Sequence, residues 1–334
     1  MSTTYFITGG GGFIGSNFIE YLLEKEPSVR LINIDKLTYA GNLENLSFLS
    51  GNSKYIFIQE DICNATVVED LFSKYKPDYV VNFAAETHVD RSIKNSEVFI
   101  KTNVLGTQVL LQSAMNYKVK KFVQISTDEV YGSLGGEGYF SEKSPLMPNN
   151  PYAASKASAD LLARSYQITY GLPVIITRSS NNYGPKQHHE KLIPMVIKSC
   201  LEGKKIPLYG DGKNIRDWIH VKDHCCAIYT ILKKGIPGEV YNVGASNELE
   251  NIKVVTEIIG QLSILRENLQ LDTNISLDLI QYCDDRKGHD FRYGVHAEKI
   301  KLELGWKPLI TFDVGMKDTI GWYLKQWLNR RGNR

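Results

Sequence analysis

Cysteine is scarce in this chain and poorly placed for a metal or a disulfide framework. Cys63, Cys200, Cys225, Cys226 and Cys283 form no CxxC pair and no ligand spacing, so no metal site is expected and the thiols read as reduced and cytoplasmic. Long apolar runs are missing too: nothing approaches the roughly 18 residues of a membrane span. The opening Met-Ser-Thr-Thr-Tyr-Phe-Ile has neither the basic segment nor the apolar stretch of a signal peptide. Charge of one sign is not in excess either. Lys and Arg number 39 against 37 Asp and Glu, leaving +2, which excludes nucleic-acid binding through a basic field. Repeats and low-complexity tracts are absent. What remains is 334 residues, 43% hydrophobic and 23% charged, the mix of a globular chain with one large domain and an appendage, or two domains.

The first half repeats one pattern. Short apolar runs at 5–8, 29–35, 55–59, 79–83, 121–126 and 173–178 alternate with helical periodicity at 13–25, 66–75, 96–117 and 152–170. Such alternation predicts an α/β fold, a doubly wound parallel sheet of Rossmann type with helices on both faces. Beyond about residue 179 the texture changes: Asn, Pro and Gly become frequent, helices are expected at 190–201 and 253–262, and a strand at 240–243. The division expected is 1–178 as a first domain, with segments from about 214–245 returning to it. Residues 179–334 then form mainly a smaller α/β domain.

Gly9, Gly12 and Gly15 fall between the first strand and the first helix. Glycine there permits a tight turn, lets a pyrophosphate approach the helix N-terminus, and lets helix and strand pack closely. Asp35 ends the second strand, 20 residues after Gly15, where a carboxylate accepts both ribose hydroxyls of an adenosine and repels a 2′-phosphate. The cofactor expected is therefore NAD rather than NADP, which makes 1–178 the NAD-binding domain. Asp61 and Ile62 follow the third strand, beside the adenine, and Ala84 and Ala85 follow the fourth, leaving room along the sheet edge.

Tyr152 and Lys156 share one helix face at i,i+4. A tyrosine serving as a base near pH 7 needs its pKa of about 10 lowered by roughly three units, about 4 kcal/mol. One cation about 5 Å away supplies about 3 kcal/mol at an effective dielectric of about 20, so Lys156 together with a positive nicotinamide ring suffices. The strand at 121–126 runs into Thr127-Asp128-Glu129, a hydroxyl followed by two carboxylates at a sheet edge where ligands bind. Paired carboxylates there point to an acid and a base with separated pKa values.

With Gly9, Gly12 and Gly15, Asp35, Ser126-Thr-Asp-Glu-Val-Tyr-Gly132 and Tyr152-x-x-x-Lys156, the chain resembles the extended short-chain dehydrogenase/reductase superfamily, and within it the dTDP-glucose 4,6-dehydratase family. The likeness runs through 35–42, 84–92, 181–185, 190–194 and 285–290. It implies cofactor contacts also at Phe13, Ile14, Lys36, Thr38, Thr102 and Asn181. It implies a nucleotide-sugar pocket of Thr87, Asn182, Lys191, Leu192, Pro207, Tyr209, Arg216, Asn251, Arg286 and His289 beside Thr127, Asp128 and Glu129. The arginine forks suit the diphosphate. The implied reaction begins with oxidation at C4, Tyr152 acting as base and Thr127 holding the ketone. Glu129 then takes the C5 proton while Asp128 protonates the departing C6 hydroxyl, and hydride returns to C6. The implied substrate is dTDP-glucose and the implied assembly a homodimer through 96–117 and 152–170. His188-His189 and Lys287 depart from the family pattern. A dehydratase or 4-epimerase for a UDP- or GDP-sugar, and a non-catalytic NAD-binding sensor, remain as alternatives.

Overall fold

The computed structural model describes residues 2–269 and 273–332. Its strands are β1 (Thr4–Thr8), β2 (Arg30–Ile34), β3 (Tyr55–Ile58), β4 (Tyr79–Asn82), β5 (Lys121–Thr127), β6 (Val174–Ser179), β7 (Asn181–Tyr183), β8 (Ile206–Tyr209), β9 (Ile215–His220), β10 (Val240–Val243), β11 (Glu248–Glu250) and β12 (Ile280–Cys283). Seven of them form one sheet in the order β10-β6-β5-β4-β1-β2-β3, and all of its pairings are parallel. Strand order reverses between β1 and β4. At such a switch point the two flanking connections leave on opposite faces and open a crevice at the carboxyl ends.

Both faces of this sheet are covered, which is why its strands read as unbroken apolar runs. In β1 the side chains alternate: Phe6 packs with Ile32, Val80, Phe122 and the helix residues Val68, Phe72 and Leu110. Its neighbours Tyr5 and Ile7 pack with Val81, Val123, Phe18, Leu22 and Ile228 on the other side. A separate core joins the helices Leu192–Glu202, Asn251–Leu269 and Phe312–Gly332 beneath a three-stranded sheet, β11-β9-β7, and the pair β12-β8.

One expected helix departs from regularity. The segment at 96–117 is α-helical at Glu97–Phe99, π-helical over Ile100–Gly106, and α-helical again over Thr107–Asn116. The wide turns hold the buried Asn103, whose amide takes the Glu86 N–H at 2.8 Å and donates to Glu86 O at 3.0 Å and Ser155 Oγ at 2.8 Å. An inserted π segment is a common device for aiming a side chain near a site.

Candidate active site

The crevice begins with glycine. Gly9 has φ +69°, and a Cβ there would stand 2.7 Å from Ala84 N, so a side chain would force β1 and β4 apart where they must stay adjacent. At Gly15 a Cβ would collide with the Gly9 carbonyl. The helix Phe13–Lys25 starts from an extended Gly12, and no side chain caps it. Its first N–H groups therefore face the cavity as a ready anion site. Asp35 is buried, accepting Gly11 N–H and Leu37 N–H at 2.8 Å each. Each carboxylate oxygen retains a lone pair for a ribose hydroxyl. Burial raises its pKa, opposed by those two bonds. Lys36 reaches across to Asp61 at 2.8 Å. These features fit a dinucleotide: an uncapped helix start for the pyrophosphate and a carboxylate for the ribose.

A cavity of about 290 Å³ runs from here to the end of β5. It is lined by Gly9, Gly12, Phe13, Ile14, Gly15, Asp35, Lys36, Thr38, Asp61, Ile62, Ala84, Ala85, Thr102, Asn181, Tyr152 and Lys156, and also by Thr87, Thr127, Asp128, Glu129, Asn182 and Lys191. Sixteen residues expected at a cofactor and six more expected at the substrate thus share one hollow.

At its far end, β5 stops at Thr127 and the chain tightens into a 3₁₀ turn, Asp128–Tyr131. Thr127 Oγ1 caps that turn, accepting Glu129 N–H at 3.3 Å, and donates to Asp128 Oδ1 at 3.2 Å. Asp128 is 1% exposed. Burial, then the nearby Glu129 and Asp217 carboxylates, hold its pKa well above the usual range. Burial raises Glu129 as well, but Arg216 and Lys191 pull it back. The two carboxyls therefore sit in unlike fields, Asp128 favouring the acid form and Glu129 closer to ionisation.

The helix Pro151–Tyr170 brings the other pair. Asn150 caps it through Oδ1 to Ala153 N–H at 2.9 Å, Pro151 occupies its first position, and Gly171 closes it in the left-handed region at φ +68°. Both Tyr152 and Lys156 are buried. Lys156 Nζ donates to Ile125 O at 2.5 Å, and burial lowers its pKa to about 8. Tyr152 is pushed well above its ordinary value, first by burial and then by Glu129, against a hydrogen bond with Thr127. The lowering expected from Lys156 is thus not supplied by the protein's own groups. It requires the positive ligand charge that the sequence reading sets beside Lys156.

Comparison with known proteins decides the lineage. A family model described as GDP-mannose 4,6 dehydratase matches residues 6–319. A dTDP-glucose 4,6-dehydratase of Xanthomonas campestris is 48% identical over 96% of this chain and 93% of its own. The chain belongs to the dTDP-glucose 4,6-dehydratase family. Among solved structures, the Streptomyces venezuelae dTDP-glucose 4,6-dehydratase with NAD and dTDP bound is 44% identical, with TM-score 0.91 over 97% of this chain and 98% of that one. The Bacillus anthracis dTDP-glucose 4,6-dehydratase in complex with NAD is 48% identical, with TM-score 0.88 over 97% of each chain.

Other residues that the dehydratase family resemblance implied lie outside the cavity lining. Tyr209, Arg286 and His289 form a second cluster around Asp90. Tyr209 OH donates to Asp90 Oδ2 at 3.3 Å, Arg286 Nε lies 3.3 Å from Asp90 Oδ1, and the guanidinium stands 4.7 Å over the Tyr209 ring. The His289 ring lies 6.3 Å from that ring. Arg216 is buried, bonded to Ile215 O, Phe291 O and Asp290 O and packed 4.4 Å over Tyr293. Its charge still reaches Asp128 and Glu129. Leu192 and Asn251 are half-buried and Pro207 is exposed, at the heads of two helices and in β8.

Sequence reasoning did not assign Glu86, Gln187, His188 or Glu190, which line the cavity. Glu190 is the hub of a charged cluster, 3.7 Å from His88 and 3.8 Å from both His188 and Arg91. His188 stood out in the dehydratase-family pattern only as a departure, and its T-shaped contact with Tyr39 joins segments about 150 residues apart in sequence. Nothing in local spacing signals that meeting.

Proposed function

We propose that this chain is an NAD-dependent dTDP-glucose 4,6-dehydratase, a hydro-lyase that forms dTDP-4-keto-6-deoxy-glucose. The observation that carries the reading is the meeting, in one cavity, of the Tyr152–Lys156 pair and two adjacent carboxyls whose fields differ. The family membership and the relatives named above support it. Gly9, Gly12, Phe13, Ile14, Gly15, Asp35 and Lys36 would hold NAD. The chemistry that NAD supplies when bound is reversible hydride acceptance, so oxidation at C4 and reduction at C6 cancel.

Tyr152 takes the C4 hydroxyl proton, and Thr127 donates to the carbonyl oxygen that forms. A carbonyl at C4 makes the C5 hydrogen acidic. Glu129, kept nearer ionisation by Arg216 and Lys191, removes that proton. Asp128, kept protonated by burial and by Glu129 and Asp217, delivers its proton to the C6 oxygen, which leaves as water. Glu129 then returns a proton to C5. A 4-epimerase has no leaving group and no use for the acid, so Asp128 favours the dehydratase. The test is turnover of dTDP-glucose against UDP- and GDP-sugars by Asp128→Asn and Glu129→Gln proteins. Loss of 4-keto product in both is expected, each by about 10²–10⁴-fold; undiminished elimination in both overturns the reading.

The pocket of Arg216, Arg286, Tyr209 and His289 is assigned to the nucleotide diphosphate end of the substrate, and residues 1–178 with the returning 214–245 to the cofactor half. The protein is assigned to the cytoplasm, in keeping with five free thiols, and to a homodimer. Among the described residues no helix is long and apolar enough to cross a membrane. Support for the dimer comes from apolar side chains left exposed on the two helical segments named for it: Val98, Ile100 and Leu105 on one, Leu161 and Ile168 on the other.

A further inference from the structure

The acid–base pair and the Tyr–Lys pair stand on different elements. Asp128 and Glu129 ride a four-residue 3₁₀ turn, while Tyr152 and Lys156 ride a long helix. Arg178, in β6, touches both. Its Nε donates to Asp160 Oδ2 at 2.9 Å, and its NH1 donates to Tyr131 OH at 3.0 Å. Asp160 lies one turn beyond Lys156 on the same helix face. Tyr131 is the last residue of the turn that bears Asp128 and Glu129. The Tyr131 hydroxyl in turn donates a hydrogen bond to Asn242 Oδ1 in β10 at 2.7 Å. Its ring stacks on Phe140 at 5.0 Å and lies 4.9 Å beneath the guanidinium. Arg178, Asp160, Tyr131 and Asn242 are each no more than 5% exposed.

A buried ion pair contributes little net stability, because desolvation cancels most of its Coulomb gain. Its contribution here is geometric: a planar fork with two fixed directions sets the separation of whatever it holds. We propose that Arg178 is a positioning residue for the reaction, holding Asp160 and Tyr131 so that the acid–base turn and the Tyr152–Lys156 helix keep one spacing across the substrate. This rests on the dehydratase reading above. Asp160 has a second effect in the same direction, since its charge opposes the lowering of Lys156 by burial.

Tyr131→Phe removes one hydroxyl from the clamp and nothing from the cavity lining. Two rates are measured on the full-length protein with dTDP-glucose: appearance of reduced nicotinamide absorbance in a single turnover, which reports C4 oxidation, and formation of the 4-keto-6-deoxy product. Solvent deuterium uptake at C5 is followed alongside. The clamp predicts oxidation within about twofold of wild type, product formation slower by roughly tenfold, and reduced nicotinamide accumulating in the steady state. Arg178→Lys, which has no fork, is expected to widen that gap. If Arg178→Lys does not fold, Tyr131→Phe still decides. Both rates unchanged, or both lowered by one common factor, overturn the clamp while the dehydratase reading stands. A wild-type protein that forms no product overturns both.

Discussion

Asp128 shows how a residue useful to chemistry is costly to the fold. Its folded pKa lies above its unfolded one, so across the interval between them the folded state binds more protons than the unfolded state. Stability therefore falls as pH rises through that interval. Removing the charge removes the loss: Asp128→Asn is expected to melt above wild type at pH 8, with the gap closing toward pH 4 in a thermal scan series. Equal melting temperatures at both pH values would contradict the burial argument. The residues proposed for the chemistry, which meet in one cavity, were legible because each belongs to a short local pattern. Gly9-x-x-Gly12, Asp35, Thr127-Asp128-Glu129 and Tyr152-x-x-x-Lys156 need only one turn, one strand end or one helical turn apiece. Which carboxyl is proposed as the acid came from the family resemblance, and its physical reason is not local. It depends on Arg216, Lys191 and Asp217, brought in from other parts of the chain.

At the scale of elements, strands buried on both faces announce themselves as apolar runs, and the six expected in the first half are found with boundaries shifted by at most one residue. The π-helical Ile100–Gly106 did not show, because apolar spacing does not distinguish one extra residue in a turn from a regular helix. Its reason lies in Asn103 meeting Glu86 and Ser155. The start of the Pro151–Tyr170 helix depends on Asn150, whose side chain both caps the helix and bonds the Glu129 carboxyl. Asn150→Ala is expected to cost about 1 kcal/mol of stability in denaturant unfolding. It also removes a bond that favours ionised Glu129, so the acid limb of the pH–rate profile should move to higher pH. An unmoved acid limb would show that the cap acts on the helix alone.

For the whole molecule, the alternating first half foretold the doubly wound sheet, while the association of β7, β9 and β11 depended on pairings between distant segments that carry no local signature. The apolar side chains on the two outer helical segments make a prediction at this scale. Leu161 and Ile168 are each 58% exposed, and Leu161→Glu together with Ile168→Glu is expected to convert the proposed homodimer to a monomer by light scattering; a wild-type monomer, or a double variant of unchanged mass, overturns this contact.

One edge of the central sheet has its own implication. The strand that shields β6 on that side, β10, comes from residues 240–243, about seven-tenths of the way along the chain. On the ribosome, the nascent first half therefore waits with β6 open to any stray strand until well over two hundred residues have emerged, a window in which a chaperone that covers unpaired backbone has the most to protect.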